Sequence, residues 1–183
     1  MKLPGDYIAG FVDGEGCFAL KFRRDIKLNR KNTPVYFYWD IEFAIMLRED
    51  DKEILESIKE TIGCGRISTS KRGSVRYSVN HVGDLIDKIV PFFELYPLHA
   101  KKLFDFELWR EAVEIIKRNQ RIKINAEIGK DGFQRTVYKP RDIGRLKEIH
   151  EQMKQFKGRT HEWKWLMDKH RESCDVKETM GDI

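Results

Sequence analysis

Asp13 and Glu15 are two carboxylates separated by one glycine and followed by another, in the run Asp13-Gly14-Glu15-Gly16. Carboxylate oxygens suit a hard divalent cation such as Mg²⁺. Residues two apart do not share a helix face, so the pair is not a ready-made bidentate clamp. Read alone, Glu15 is more simply a surface glutamate at a helix end, and Asp13 a side chain bonding local backbone N–H groups. A second set of candidates is basic and polar. Lys21 and Arg23, then Arg66 and Arg76, alternate with apolar residues in strand-like segments. Such a face can lie in the major groove and meet base edges, or be an ordinary solvated face.

The elements that would position these groups are legible from pattern. A short apolar helix over about Tyr7 to Val12, capped by Asp6 or Gly5, precedes the acidic run. Gly10 and Gly14 sit four apart with Ala9 beside them, so one face can approach a second helix closely. Phe18, Leu20 and Phe22 alternate with Cys17, Ala19, Lys21 and Arg23 as a first strand. Ile41, Phe43, Ile45 and Leu47 alternate with Asp40, Glu42, Ala44 and Met46 as a second. Ile54, Leu55, Ile58 and Ile62 form the stripe of a helix capped by Asp50 or Asp51.

Gly63-Cys64-Gly65 ends that helix, and a hairpin turns at Lys71-Arg72-Gly73. Its second strand puts Val75, Tyr77 and Val79 inward and Ser74, Arg76, Ser78 and Asn80 outward. A helix from Val82 to about Phe93 stops near Tyr96-Pro97, and another runs from near His99 to about Lys117. The order predicts an α+β fold, one antiparallel sheet with helices on one face. Residues 1–118 form the expected core domain. Residues 119–183 form a basic C-terminal extension packed on it, with possible extra DNA contacts. Pro140 opens a last helical stretch there, with Ile143, Leu146, Ile149, Met153 and Phe156 at helical spacing, and Trp163, Trp165, Leu166 and Met167 follow as an apolar patch.

Composition bounds the function. The 183 residues carry 35 Lys and Arg against 30 Asp and Glu, a formal charge of +5, which suits a nucleic-acid partner without requiring one. Cys17, Cys64 and Cys174 match no zinc spacing and no disulfide framework, and the first two read as buried thiols in a reducing compartment. No apolar run approaches membrane-spanning length and no secretory signal is expected, so no membrane partner is expected.

Ile8-Ala9-Gly10-Phe11-Val12-Asp13-Gly14-Glu15-Gly16 resembles the signature word of the LAGLIDADG homing endonucleases. Ile62-Gly63-Cys64-Gly65, Tyr96-Pro97-Leu98, Lys101-Lys102 and Asp105-Phe106 resemble segments at matching stations of that family. The resemblance implies the αββαββα fold with a four-stranded, saddle-shaped DNA-binding sheet, followed here by the helical extension. With one signature it implies a homodimer whose signature helices pack through Ala9, Gly10, Asp13 and Gly14. It implies a roughly palindromic double-stranded DNA target, cut once per strand to leave four-nucleotide 3′ overhangs. Glu15 takes the position of the essential metal-binding acid, with the Gly14 carbonyl, and less readily Asp13, as further ligands for Mg²⁺, for which Mn²⁺ can substitute.

A basic residue near the scissile phosphate is implied, at Lys101 or Lys102 in preference to Arg48. Leu47 departs from the family, which carries a polar side chain near that strand end. DNA readers would be Lys21, Arg23, Tyr38, Asp40, Glu42, Arg66, Ser68, Ser70, Arg76, Ser78 and Asn80, with Arg30, Lys31, Lys71 and Arg72 on phosphate. Intron RNA is the alternative partner, for a splicing helper or a decayed binding protein. The expected setting is intracellular, the cytoplasm or nucleoid of a prokaryote or an organelle.

Overall fold

The computed structural model describes residues 2–26, 35–119 and 142–155, with backbone alone at 35–37 and 155. Helix α1 (Gly5–Glu15) passes directly into strand β1 (Gly16–Ile26), which pairs antiparallel with β2 (Val35–Arg48). A 3₁₀ turn, Glu49–Asp51, leads into α2 (Lys52–Ile62), and β3 (Arg66–Thr69) and β4 (Ser74–Val79) form the hairpin. The sheet order is β1-β2-β4-β3, antiparallel throughout. Helices α3 (Val82–Asp84), α4 (Val90–Leu95), α5 (Lys102–Arg118) and α6 (Ile143–Gln155) follow.

α1 forms because Ile8, Ala9 and Val12 share one stripe that the core covers completely or nearly so. It has no loop after it, and Gly16 explains why. A Cβ there would meet the Val12 side chain at 2.5 Å and the Val12 carbonyl oxygen at 2.7 Å. Only glycine lets the chain turn from helix to strand in one residue. The sequence reading ended the helix near Val12; the helix instead absorbs Asp13, Gly14 and Glu15.

Two residues into β1, Phe18 is fully buried against the rings of Phe43, Phe93, Phe106 and Trp109, at centroid distances of 5.2, 5.6, 5.4 and 5.1 Å. This aromatic cluster joins β1, β2, α4 and α5, and it fixes the start of β1 and with it the foot of α1. Burying a ring of that size contributes on the order of 3 kcal/mol.

Gly63 closes α2 in the left-handed region (φ 78°), returning its N–H to the Lys59 carbonyl. Between α3 and α4 the residues Leu85–Ile89 form a π turn. Pro91 follows it at the start of α4 and has no N–H to give, so the wider turn sits where the regular ladder would be broken anyway. The expected helix from Val82 is therefore present but interrupted, and it extends to Leu95.

Contacts divide the chain into a unit Met1–Glu151 and a unit Gln152–Ile183, of which only the end of α6 is described. Within the first unit, α6 is tied to α5 by Arg145, whose Nε and Nη2 donate to the two carboxylate oxygens of Glu111 at 2.6 and 2.7 Å. Leu146 and Ile149 are buried, and the His150 ring lies edge-on to Trp39 of β2 at 5.5 Å. Arg30, Lys31, Phe156 and the Trp163–Met167 patch lie outside the described residues. Among the described residues, no helix is long and apolar enough to cross a membrane.

Candidate nucleic-acid interface and acidic centre

Glu15 ends α1 and is exposed, as are Gly14 and Gly10. It takes part in none of the ion pairs among the described residues. The last carbonyls of a helix have no partner within it, and its C-terminus carries partial negative charge. Glu15 and the Gly14 carbonyl therefore present hard oxygen donors where a cation is favoured. Among the described residues, no group of three or more His, Cys, Asp and Glu could hold a metal ion. Among the described residues, Glu15 is the single carboxylate here that is not already bonded within the chain, since Asp13 is engaged.

Asp13, two residues earlier, is occupied. Its Oδ2 accepts from the backbone N–H of His99 at 2.9 Å and its Oδ1 from that of Ala100 at 3.2 Å. The sequence reading gave Asp13 local backbone partners; the partners are backbone groups, but from a distant turn. That turn leads directly to Lys101 and α5. Asp13 thus ties the lysine pair to the foot of α1. Lys101 is exposed and Lys102 half-buried.

The same end of the sheet carries the end of β2. Gly16 pairs with Ile45, so Met46, Leu47 and Arg48 run on beside Glu15. Leu47 is half-buried and paired with Val75. Arg48 is exposed, 3.4 Å from Asp50 and paired with Ser74.

The exposed side of α1 carries Tyr7, Gly10, Phe11 and Gly14 at helical spacing, with Tyr7 and Phe11 stacked at 6.3 Å. A Cβ at Gly10 or Gly14 would meet nothing within 4 Å among the described residues, which leave both bare. Ala9, expected on this face, is 3% exposed and packs into the chain's own core. The error was one of helical phase: Ala9 shares its stripe with Ile8 and Val12. Tyr7 and Phe11 were missed, although their spacing to the glycines was a readable signal.

On the sheet, the registers put Lys21, Arg23, Tyr38, Asp40, Glu42, Arg66, Ser68, Arg76 and Ser78 on the face opposite the aromatic core. Arg23, Tyr38, Arg66 and Ser68 are exposed, as are Ser70, Lys71 and Arg72 in the hairpin turn and Asn80 just past β4. Arg23 Nε donates to Asp40 Oδ2 at 2.6 Å. Glu42 Oε2 accepts from Lys21 Nζ at 3.1 Å and from Arg76 Nη2 at 2.8 Å. Burial pushes the Glu42 carboxyl up, but the bonds from Arg76 and Lys21 outweigh it and hold the group below the ordinary carboxylate range. Asp40 and Glu42, expected as acceptors for base edges, already accept from cations of their own face.

Ser78 is a correction: expected outward and available, it is 3% exposed. The register supplies the reason. Arg76 lies opposite Met46 and Ser78 opposite Ala44, so Arg76 must run over Ser78 and Ala44 to reach Glu42. Ala44 is likewise buried on this polar face. Cys17 is a second correction, since it is exposed and not a core thiol. Its place opposite Ala44 puts it on the polar face, out of phase with Phe18.

Residues 8–113 match the family model described as LAGLIDADG endonuclease. A Podospora anserina protein named "Uncharacterized 50.9 kDa protein in ND4 intron 1" is 31% identical over 118 residues, covering 63% of this chain and 25% of that protein. A Mycosarcoma maydis "Probable intron-encoded DNA endonuclease 1" is 30% identical over 92 residues, covering 50% of this chain and 31% of its own length. The chain thus spans between a quarter and a third of these curated relatives. Among solved structures, the homing endonuclease I-TnaI superposes with a TM-score of 0.60 at 26% identity, over 85% of this chain and 96% of that one. The I-LtrWI LAGLIDADG homing endonuclease bound to target DNA gives 0.62 at 24% identity, over 82% and 44%.

Proposed function

The chain belongs to the LAGLIDADG endonuclease family, and from that premise we propose that it is a site-specific double-strand DNA endonuclease acting as a homodimer. Two copies of α1 pack through Gly10 and Gly14, flanked by Tyr7 and Phe11. This brings two Glu15 carboxylates to one place, and the two polar sheet faces lie along a roughly palindromic site. Each copy hydrolyses one phosphodiester, leaving four-nucleotide 3′ overhangs.

Glu15 and the Gly14 carbonyl would hold a divalent cation, Mg²⁺ with Mn²⁺ as substitute, which would supply activation of water and charge stabilisation at phosphorus. Lys101, exposed at the turn that Asp13 anchors, is the favoured cation beside the scissile phosphate over Lys102 and Arg48. Lys71 and Arg72, exposed in the hairpin turn, meet phosphate. Residues 1–118 form the catalytic core, and the basic segment 119–183 adds flanking contacts. The intron-encoded names of the fungal relatives favour an organelle over a prokaryotic nucleoid as its setting.

The single observation that carries this reading is the exposed Glu15 at the end of a helix whose glycine face is left open by the described residues. The test is cleavage of a randomised duplex library with Mg²⁺, wild type beside Glu15→Gln, with the ends sequenced. Cuts at one long, roughly symmetric motif, lost in the variant, are expected. Motif-specific binding without enriched ends from either protein would overturn cleavage and favour a binding or splicing role, for which the apolar Leu47 would then be a structural reason.

A further inference from the structure

Glu42 is nearly enclosed on the face of the sheet that faces DNA in the reading above. Its side chain is 12% exposed, while Lys21 and Arg76 are 42% and 35% exposed. The two cations come from the strands on either side of it, β1 and β4. Both bonds go to the same oxygen, Oε2. Oε1 keeps its lone pairs, but the charge of the carboxylate is committed to two cations of its own sheet. Its cations do have donors left: two further N–H bonds on the ammonium, and on the guanidinium the Nε–H, the two Nη1–H and the second Nη2–H.

We infer that Glu42 is a specificity-determining positioning residue: it clamps Lys21 and Arg76 against the sheet so that they meet base edges in one fixed arrangement and are restrained from phosphate. The inference rests on the DNA-binding reading of this face. The geometry supports it in three ways. Arg76 is drawn across Ser78 and Ala44, which removes most of the freedom of a long side chain. A guanidinium held in one plane loses less entropy when it pairs bidentately with a guanine edge. Finally, the carboxylate cancels part of the positive field on this face, which lowers attraction to any phosphate backbone.

The clamp predicts a sign opposite to that of a base reader. Glu42→Gln keeps shape and one acceptor but removes the charge. Equilibrium binding, without divalent metal, is measured on random duplex across a salt series and on a selected-site library. The expected variant binds random DNA several-fold more tightly, with a log–log salt slope steeper by about one, because one more counterion is displaced. Its base preference falls by roughly tenfold at the positions met by Lys21 and Arg76. Adding Arg76→Gln to Glu42→Gln returns the salt slope to that of wild type but leaves the preference lost.

Unchanged random-DNA affinity with preference lost at a single cytosine would overturn the inference and make Glu42 a direct reader. A fall in all binding together with the melting temperature would overturn it in favour of a structural role. Specific binding without cleavage in the wild type would sink the endonuclease reading but leave the clamp standing. Cleavage at a defined site with Glu42→Gln indistinguishable from wild type would sink the clamp alone.

Discussion

At the foot of α1 a carboxylate stands exposed beside bare glycines, whereas on the polar face of the sheet Asp40 and Glu42 are held by Arg23, Lys21 and Arg76. Both regions are polar, yet among the described residues one is left without ion-pair partners and the other satisfies itself. An exposed carboxylate with no partner does little for the fold, so its neighbours need not defend its charge. Charges that are paired in the free protein must be repositioned or shared when a ligand arrives. In the function proposed, the foot of α1 takes up a ligand from outside and the sheet decides what stays bound.

The strongest way to sharpen that contrast is to neutralise Glu15. Glu15→Gln removes the proposed metal ligand but no ion pair among the described residues. Single-turnover cleavage should fall by at least about 10³-fold, equivalent to roughly 4 kcal/mol of transition-state stabilisation. Melting temperature and duplex binding should stay close to wild type. A parallel loss of binding would mean that the carboxylate supports the DNA-bound arrangement itself and would erase the division of labour.

Next in size is the glycine face. Because a Cβ at Gly10 meets nothing within 4 Å, Gly10→Leu should leave the monomer folded. Wedging a side chain between two close helices costs about 3 kcal/mol. Self-association, followed by sedimentation, should weaken by roughly a hundredfold, and cleavage should fall with it. A variant that still self-associates as tightly as wild type would place the interface elsewhere.

The sequence made the fold readable where two signals agreed. The alternation in β1 and β2 and the stripe of α2 place Phe18, Phe43, Leu55 and Ile58 in the core, and all are fully buried. Gly63 and Gly73 marked the ends of α2 and the hairpin turn, and both adopt positive φ. The word around Glu15 was legible because glycines and acids crowd into nine residues. What the sequence did not reveal depends on reach and phase. No local signal says that Asp13 bonds to a turn 86 residues away. Nor does alternation tell that Arg76 lies along the sheet and covers Ser78, since that follows from strand order and register. Cys17 and Ala9 failed for the reason of phase alone: Cys17 lies one step off the buried alternation of β1, whereas Ala9 lies on the buried stripe of α1 and not on its glycine face.

Asp13→Ala tests the link between the two regions. It removes an anionic acceptor from two backbone N–H groups and should cost about 2 kcal/mol of stability, read as a shift of several degrees in melting temperature. Cleavage should fall further than stability explains, because the turn that carries Lys101 is released from α1. Asp13→Asn keeps one acceptor and should recover part of both losses. Equal stability but full cleavage in Asp13→Ala would show that Lys101 does not depend on this anchor.

The smallest effect concerns what the Glu42 pairs do for the fold. The Glu42 pKa is depressed in the folded chain, chiefly through Arg76 and then Lys21 working against burial. A depressed carboxylate adds stability that is fully present above its unfolded value of about 4.3 and is lost as pH falls through the lower folded value. Wild type should therefore hold this contribution from neutral pH to about pH 5 and lose it below about pH 4. Lys21 and Arg76 are both partly open to water, so screening keeps the contribution under about 1 kcal/mol. Urea unfolding of wild type and Glu42→Gln between about pH 3 and pH 7 isolates it as the difference between two slopes. A difference near zero would mean that the cluster adds nothing to stability, and its only effect would then lie in recognition. A loss of several kcal/mol would instead mark Glu42 as a structural post of the sheet, and the contrast with Glu15 would reduce to exposure alone.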